Sequence, residues 1–329
     1  MTAEYSIGKI NEIIHGELIR TKDPEYVIRD ILIDSRRLID AGSTLFFALQ
    51  SKKNDGHKYI EELYGKGVRN FVISHKNIPM QDFPDGNFIL VDDTLRALQL
   101  LGAFHRKQFQ IPVIGITGSN GKTIVKEWLF QLLSPDLNII RSPKSYNSQI
   151  GVPLSVWQMR PEHDMAIFEA GISETEEMDQ LQKIIKPSIG IFTNIGNAHD
   201  ENFIHMVQKV GEKLKLFTKV DTLVYSIDHS EIQETIIRSE ILGNIKSFIW
   251  SSKQAADLKI SGLEKGESSS IIRALYDEKE ISIEIPFTDA ASIENATHCW
   301  ALMILLGYEN KIIARRMNNT ATHCHAPRT

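Results

Sequence analysis

The hydrophobic positions along the chain fall into runs of two kinds. Short runs of about four to eight β-branched and aromatic residues between turn formers predict strands. Longer stretches with apolar residues every three or four positions predict helices buried on one face. In the first hundred residues, strands are predicted over 26–33, 43–49, 71–74 and 88–91, and helices over 59–66 and 93–106. Gly67 closes the first helix, and Asp92, Asp93 or Thr94 can cap the second. From about residue 110 the alternation becomes regular. Strands are expected over 113–116, 138–141, 165–170, 189–193, 222–226 and 247–250, with a helix over 124–133 and helical segments between several of the others. Such spacing predicts a mostly parallel sheet with crossover helices. Residues 258–272 and 281–286 read as a later antiparallel pair, followed by an apolar-faced helix over 291–306 and a helix-like run over 310–317. The fold class is therefore α/β: a small N-terminal α/β domain over 1–108, then a domain over 109–317 whose sheet is flanked by helices. Residues 318–329 hold no Leu, Ile, Val, Phe, Tyr or Trp and read as a non-globular tail.

Composition changes this picture little. Of 329 residues, 42% are hydrophobic and 24% charged, as expected of a soluble globular protein. A formal net charge of -5 argues against a nucleic-acid partner. The two cysteines, Cys299 and Cys324, are too few for a disulfide framework and fit a reducing compartment. The N-terminus shows no basic segment followed by an apolar run, and no stretch approaches the roughly 18 apolar residues of a membrane span. A cytoplasmic protein without membrane insertion is expected. His323, Cys324 and His325 fit no closed zinc site.

Candidate chemistry begins at Gly115-Ile-Thr-Gly-Ser-Asn-Gly-Lys-Thr123, between a predicted strand and a predicted helix. That is the context of a phosphate-binding loop. Small residues let backbone N–H groups close around phosphate oxygens, and the helix N-terminus adds its positive dipole end. Gly115, Thr117, Gly118, Ser119, Asn120 and Gly121 are the expected nucleotide-binding positions, for ATP or GTP as far as the loop alone tells. Lys122 would reach the β- and γ-phosphates, and Thr123 would offer its hydroxyl to magnesium. The commonest loop pattern would place its first glycine at 116, where Ile116 stands; the glycines fall at 115, 118 and 121. Glu169 ends an apolar strand, where a second magnesium contact normally sits. Asn194 and His199 lie just beyond another strand end. Ligands collect at the carboxyl ends of strands in open parallel sheets, so Lys122, Glu169, Asn194 and His199 are expected to converge.

Taken together, these segments resemble the Mur ligase family, the ATP-dependent amide-forming enzymes of peptidoglycan synthesis. The resemblance rests on the Thr117–Thr123 loop, the strand-terminal Glu169, and Thr193-Asn-Ile-Gly-Asn-Ala-His199 followed by Asp200. Glu212-Lys-Leu-Lys-Leu-Phe217 is similar to a family segment whose lysine, here Lys213, is carbamylated and holds a second magnesium near His199. Ser292-Ile-Glu-Asn-Ala296 resembles an ATP-contacting segment with its first positions changed, leaving Asn295. Asp34-Ser-Arg-Arg37, Thr44–Leu49 and Asp55-Gly-His57 resemble a UDP-sugar-binding domain, with Ser35 and Arg36 as implied substrate contacts. They argue against a folylpolyglutamate synthetase.

Within the family, the pattern is most similar to the branch that joins D-alanyl-D-alanine to UDP-N-acetylmuramoyl-tripeptide. The 212–217 wording is similar to relatives in which that ligase precedes an alanine racemase. The resemblance implies ATP and magnesium as cofactors, Lys122, Glu169, His199 and Lys213 as catalytic residues, Thr123 with the last three as metal ligands, and a monomer. Another amino-acid ligase of the same kind is the alternative. Family members carry a third, Rossmann-like domain, and none is recognised before residue 329. The expectation is a C-terminally truncated chain that binds ATP and the UDP-substrate with little or no ligation.

Overall fold

The computed structural model describes residues 4–51, 54–196 and 206–319. They form two compact units, the first built from residues up to 110 together with 149–162, the second from 111–148 and from 163 onward. The expected calls at His199 and Asp200, and at His323, Cys324 and His325, lie outside the described residues.

The first unit is built on a five-stranded sheet in the order Glu17–Arg20, Asn87–Leu90, Asn70–Ile73, Thr44–Phe47, Asp30–Leu32. Only the Glu17–Arg20 edge is antiparallel. The central strands are buried on both faces, so they read as continuous apolar runs rather than alternating ones. Alternate side chains still divide between two cores. Leu45, Phe47, Val72 and Ile89 pack under the helices Ile7–Ile14 and Thr94–Arg106, while Phe46, Phe71, Ile73 and Phe88 pack with Ile60 and Leu63 of the helix Ile60–Gly65. Ser6 caps Ile7–Ile14 by accepting the Lys9 N–H, and Asp93 caps Thr94–Arg106 by accepting from Leu95 and Arg96. The predicted run 26–33 is two short strands, Val27–Ile28 and Asp30–Leu32.

Residues 149–162, grouped from sequence with the second domain, belong to the first unit. Their helix Gly151–Trp157 turns Leu154 and Trp157 into the same core as Leu98 and Leu101. Inside this unit, His105 is wholly buried, receives the Tyr5 hydroxyl at Nδ1 (3.0 Å) and donates from Nε2 to the Met159 carbonyl (3.2 Å). Burial pushes its pKa down to about 4.

The second unit carries a nine-stranded sheet. Its order is Lys279–Ile285, Ser270–Tyr276, Leu258–Lys265, Lys246–Ser251, Thr222–Ser226, Ile189–Phe192, Val113–Thr117, Met165–Glu169, Ile139–Arg141. Pairing is parallel from Leu258–Lys265 onward. The expected pair 258–272 with 281–286 is instead a three-stranded antiparallel meander, because the polar Gly266–Ser269 turn breaks the first stretch in two. Ile114 and Ile116 pack with Val125 and Leu129 of the helix Lys122–Leu133 and with Cys299 and Trp300 of the helix Ala290–Leu305. Among the described residues, no helix is long and apolar enough to cross a membrane.

The strand order places Val113–Thr117 between Met165–Glu169 and Ile189–Phe192. From Val113–Thr117 the chain builds outward on one side, to Ile139–Arg141 and back to Met165–Glu169, then crosses to the other. That reversal is a topological switch point, where crevices form beyond the strand ends. The strands end nearly level: Glu169 lies opposite Ile116, and Phe192 opposite Thr117.

Candidate nucleotide-binding site

Three neighbouring strand ends deliver the site. The loop after Thr117 turns through Gly118 and Gly121, whose φ angles of 145° and 80° suit glycine alone. Gly121 leads directly into the helix, which therefore begins at Lys122, two residues before its predicted start. The loop is fastened to the next strand end. Ser119 N–H donates to the Asn194 carbonyl at 2.9 Å, Asn120 N–H to Asn194 Oδ1 at 3.0 Å, and Thr193 Oγ1 to the Asn120 carbonyl at 2.6 Å. Thr117 Oγ1 donates to the Ala170 carbonyl at 2.8 Å, joining the loop to the strand on its other side.

Three lysines meet at this loop. Lys122 Nζ donates to the carbonyls of Gly118 (2.8 Å) and Ser119 (3.0 Å). Lys213 Nζ reaches the same Gly118 carbonyl at 3.3 Å, and Lys209 Nζ donates to the Gly196 carbonyl at 2.5 Å. Lys209 and Lys213 are one turn apart on the helix Met206–Leu214 and both are buried. Burial first, then the charges of Lys122 and Lys209, push the Lys213 pKa down to about 7. Burial also lowers that of Lys122, against the pull of Glu169.

On the opposite side of the loop, Glu169 is wholly buried. Its Oε2 accepts the Thr123 hydroxyl at 2.9 Å and the Asn147 amide at 3.5 Å; its Oε1 accepts Lys126 Nζ at 2.9 Å. A hydroxyl and a carboxylate oxygen side by side are the hard donors that magnesium takes, so these residues fit the expected ion. Asn295, 2% exposed, lies against Gly121.

Beyond the loop opens a cavity of about 780 Å³, lined by Asn120, Asn194, His229, Trp250, Ile260 and Glu294 among others. The volume and its mixture of apolar walls with a few polar groups suit a small-molecule ligand. Glu294 organises one wall, accepting the Asn194 amide at 3.2 Å and pairing with His229 Nε2 at 2.6 Å. Behind it, His298 Nδ1 accepts the Trp250 indole N–H at 3.1 Å, so the ring proton sits on Nε2 and is donated to the Thr193 carbonyl at 2.6 Å. This neutral ring braces the backbone at Thr193.

Burial holds the His298 pKa at about 4, against an ordinary 6.5. The unfolded chain therefore binds this proton more readily, and stability is complete above pH 6.5. It is expected to fall by on the order of 3 kcal/mol as pH drops through the window between those values. Because the buried His105 titrates in the same window, denaturant unfolding of wild type and His298→Gln at pH 7.5, 6 and 5 checks this; an equal slope in the two contradicts a neutral buried His298.

Of the expected site residues, the structure brings together Thr117, Gly118, Ser119, Asn120, Gly121, Lys122, Thr123, Glu169, Asn194, Lys213 and Asn295. Gly115, expected at the nucleotide, instead lies inside the strand Val113–Thr117, where a side chain would meet Pro187. Ser35 and Arg36 are in the first unit. Ser35 is buried, whereas Arg36 is exposed and bound through Nε (2.9 Å) and Nη2 (2.8 Å) to Asp34. Lys126, Asn147, Glu294 and His298 escaped the sequence reading. Lys126 had one legible signal: it stands a single helical turn after Lys122, on a helix whose N-terminus was already marked.

Asp55, His57 and His75 also converge in the first unit. His57 Nε2 accepts the Ser74 N–H at 3.0 Å, which places the ring proton on Nδ1, where it is donated to Asp55 Oδ1 at 2.6 Å. Neither nitrogen is left with a lone pair for a metal, so His57 acts as a clamp between two loops.

The fold and site define a P-loop nucleotide-binding α/β protein. The Mur ligase middle domain matches residues 116–303, more than half the chain, and the chain belongs to the Mur ligase family. It is 31% identical over 283 residues to the UDP-N-acetylmuramoyl-tripeptide–D-alanyl-D-alanine ligase of Rickettsia prowazekii, covering 84% of this chain and 62% of that one. The ligase of the same name from Borreliella burgdorferi is 30% identical over 309 residues, covering 91% and 66%. The chain thus spans somewhat less than two thirds of these relatives. Among solved structures, MurF from Acinetobacter baumannii superposes with a TM-score of 0.86 at 24% identity, over 96% of this chain and 68% of that one. MurF ligase from Thermotoga maritima in complex with ADP gives 0.76 at 21%, over 87% and 65%. At these identities the likeness is one of fold.

Proposed function

We propose that this chain binds ATP and UDP-N-acetylmuramoyl-tripeptide for an amide ligase that adds D-alanyl-D-alanine through an acyl phosphate. The observation that carries the reading is the convergence of Lys122 and Lys213 on the Gly118 carbonyl, with Thr123 and Glu169 paired on the other side of the same loop. In the proposed reaction, the terminal carboxylate of the tripeptide attacks the γ-phosphorus and ADP leaves. The neutral amine of D-alanyl-D-alanine then attacks the acyl carbon, phosphate leaves with its bonding electrons, and the nitrogen gives up one proton as the amide forms.

Phosphoryl transfer depends on positioning and charge neutralisation more than on covalent help. The N–H groups at the start of the helix Lys122–Leu133 and the Lys122 ammonium would cradle the phosphates, since those of Ser119 and Asn120 are bound to Asn194. Thr123 and Glu169 would hold one magnesium, and the family resemblance implies that His199 and a carbamylated Lys213 would hold a second. Bound there, the ions neutralise the phosphate oxygens and the incoming carboxylate. The depressed pKa of Lys213 supports its carbamylation, since the neutral amine is the form that adds carbon dioxide and releases a proton. Ser35 and Arg36 contact the UDP-substrate, with Arg36 exchanging Asp34 for a ligand anion. Names shared by the two relatives above support the choice of acceptor.

The test is calorimetric titration of the purified chain with ATP and with the UDP-tripeptide, followed by phosphate release with and without D-alanyl-D-alanine. Lys122→Met is expected to weaken ATP binding about 10- to 100-fold, the worth of one charged hydrogen bond. Dipeptide-dependent phosphate release supports the complete ligase reading. Binding of both ligands without release supports a chain that binds but does not turn over. Failure to bind ATP sinks both.

A further inference from the structure

Lys126 is a fully buried charge of the second unit. Its side chain is wholly inaccessible, and so is that of Glu169. Nζ donates to Glu169 Oε1 at 2.9 Å, to the Ser142 carbonyl at 2.7 Å and to the Lys144 carbonyl, with Glu127 Oε1 3.1 Å away. An ammonium has three donors and no more, so its capacity is exhausted. Such a pair is weak evidence of a purely stabilising role, because apolar residues of similar volume often serve a core as well. What it does uniquely is to divide the two oxygens of Glu169. Oε1 is capped by Lys126. Oε2 is left beside the Thr123 hydroxyl, 2.9 Å away.

We propose that Lys126 is a positioning residue that makes Glu169 offer a single oxygen, Oε2, to a divalent cation shared with Thr123. The same ammonium anchors the carbonyls of Ser142 and Lys144, and so the segment bearing Ser145, whose Oγ lies 3.4 Å from Thr123 Oγ1. One-oxygen presentation favours magnesium, which is small and strict in geometry. Calcium accepts bidentate carboxylates at longer range. Lys126 is thereby a determinant of cation choice. This inference rests on reading Thr123 and Glu169 as cation ligands in the proposed nucleotide site.

The experiment is calorimetric titration of the full chain with ADP in EDTA, in magnesium and in calcium. In wild-type protein, magnesium is expected to strengthen ADP binding more than calcium does. In Lys126→Met, metal-free ADP affinity is expected to stay within about 3-fold, while the magnesium enhancement falls about 10-fold or more, the usual effect of losing a residue that orients a metal ligand. The calcium enhancement falls less, so the preference narrows. An unchanged ratio of the two enhancements overturns the inference. Should Lys126→Met fail to fold, Lys126→Met/Glu127→Gln, which removes the second carboxylate beside Lys126 Nζ, is compared with Glu127→Gln. A narrower magnesium-over-calcium preference in the double variant supports action on Glu169, and an equal ratio in the two overturns it. Wild-type protein that binds no ADP overturns the nucleotide reading and this inference together; binding with a full magnesium response in Lys126→Met overturns this inference alone.

Discussion

Gly118→Ala is expected to abolish measurable ADP binding and to lower the stability of the second unit by several kcal/mol. A Cβ at this position would lie 2.0 Å from Thr193 Oγ1 and 3.0 Å from both the backbone nitrogen and the oxygen of Asn194. Those neighbours belong to the adjoining strand end, and two of the three atoms are backbone, so no rotamer change relieves the contact. The φ of 145° adds strain of its own, on the order of 1–3 kcal/mol. The loop could respond only by moving off Asn194. That would break the hydrogen bonds from Ser119 and Asn120 and shift the carbonyl on which Lys122 and Lys213 converge. Gly121→Ala is expected to be milder in stability. Its Cβ would meet the Asn295 amide, Oδ1 at 2.2 Å, and a side-chain end can turn aside. Gly211→Ala is the control. It sits inside a helix with nothing within 4 Å of its Cβ and should raise stability by about 0.5–1 kcal/mol. Thermal melting and ADP titration of the three variants check the order. Nucleotide binding by Gly118→Ala at wild-type strength would contradict this account of the loop.

Glu169→Ala is expected to lower stability by about 3 kcal/mol, near the low end of what breaking a buried ion pair costs. The low end applies because Lys126 would keep two carbonyls and Glu127, whose carboxylate is partly exposed and 3.1 Å away. For a unit of this size that is roughly 6–12 °C in melting temperature. Glu169→Gln keeps the shape and one acceptor oxygen, so it should lose less stability. Both variants should lose the strengthening of ADP binding by magnesium, because each removes the charge. Melting curves and ADP titrations with and without magnesium separate the two effects. A full magnesium response in Glu169→Gln would place the cation elsewhere.

Much of the site was legible because its residues are consecutive or punctuate strand ends. Gly115–Thr123 shows its purpose in its own order: a strand, small residues, then Lys-Thr opening a helix. Glu169 could be read because an acid closing an apolar run is unusual. Asn147 and Lys126 could not, since an amide in a polar turn and a lysine within a helix are ordinary until folding places both on one carboxylate. His298 was hidden in an apolar helix for the same reason, its role depending on a carbonyl 105 positions away. In the first unit, the helix Gly151–Trp157 follows the P-loop segment in sequence, and only its packing with Leu98 and Leu101 reveals where it belongs.

Local chemistry is thus what the sequence by itself determined: the α/β alternation, the phosphate loop with its displaced glycines, and the family likeness those motifs carry. Backbone conformation and strand period are written in neighbouring residues, so they can be read without the fold. The tertiary structure alone decided which further groups join the expected charges, and at what distances. The strand order set Val113–Thr117 between Met165–Glu169 and Ile189–Phe192, bringing Lys122, Glu169 and Lys213 to one loop and enclosing Lys126 beside Glu169. Coulomb attraction, burial and hydrogen bonding act over a few ångströms in space, whatever the separation along the chain, and no spacing in the sequence records that distance.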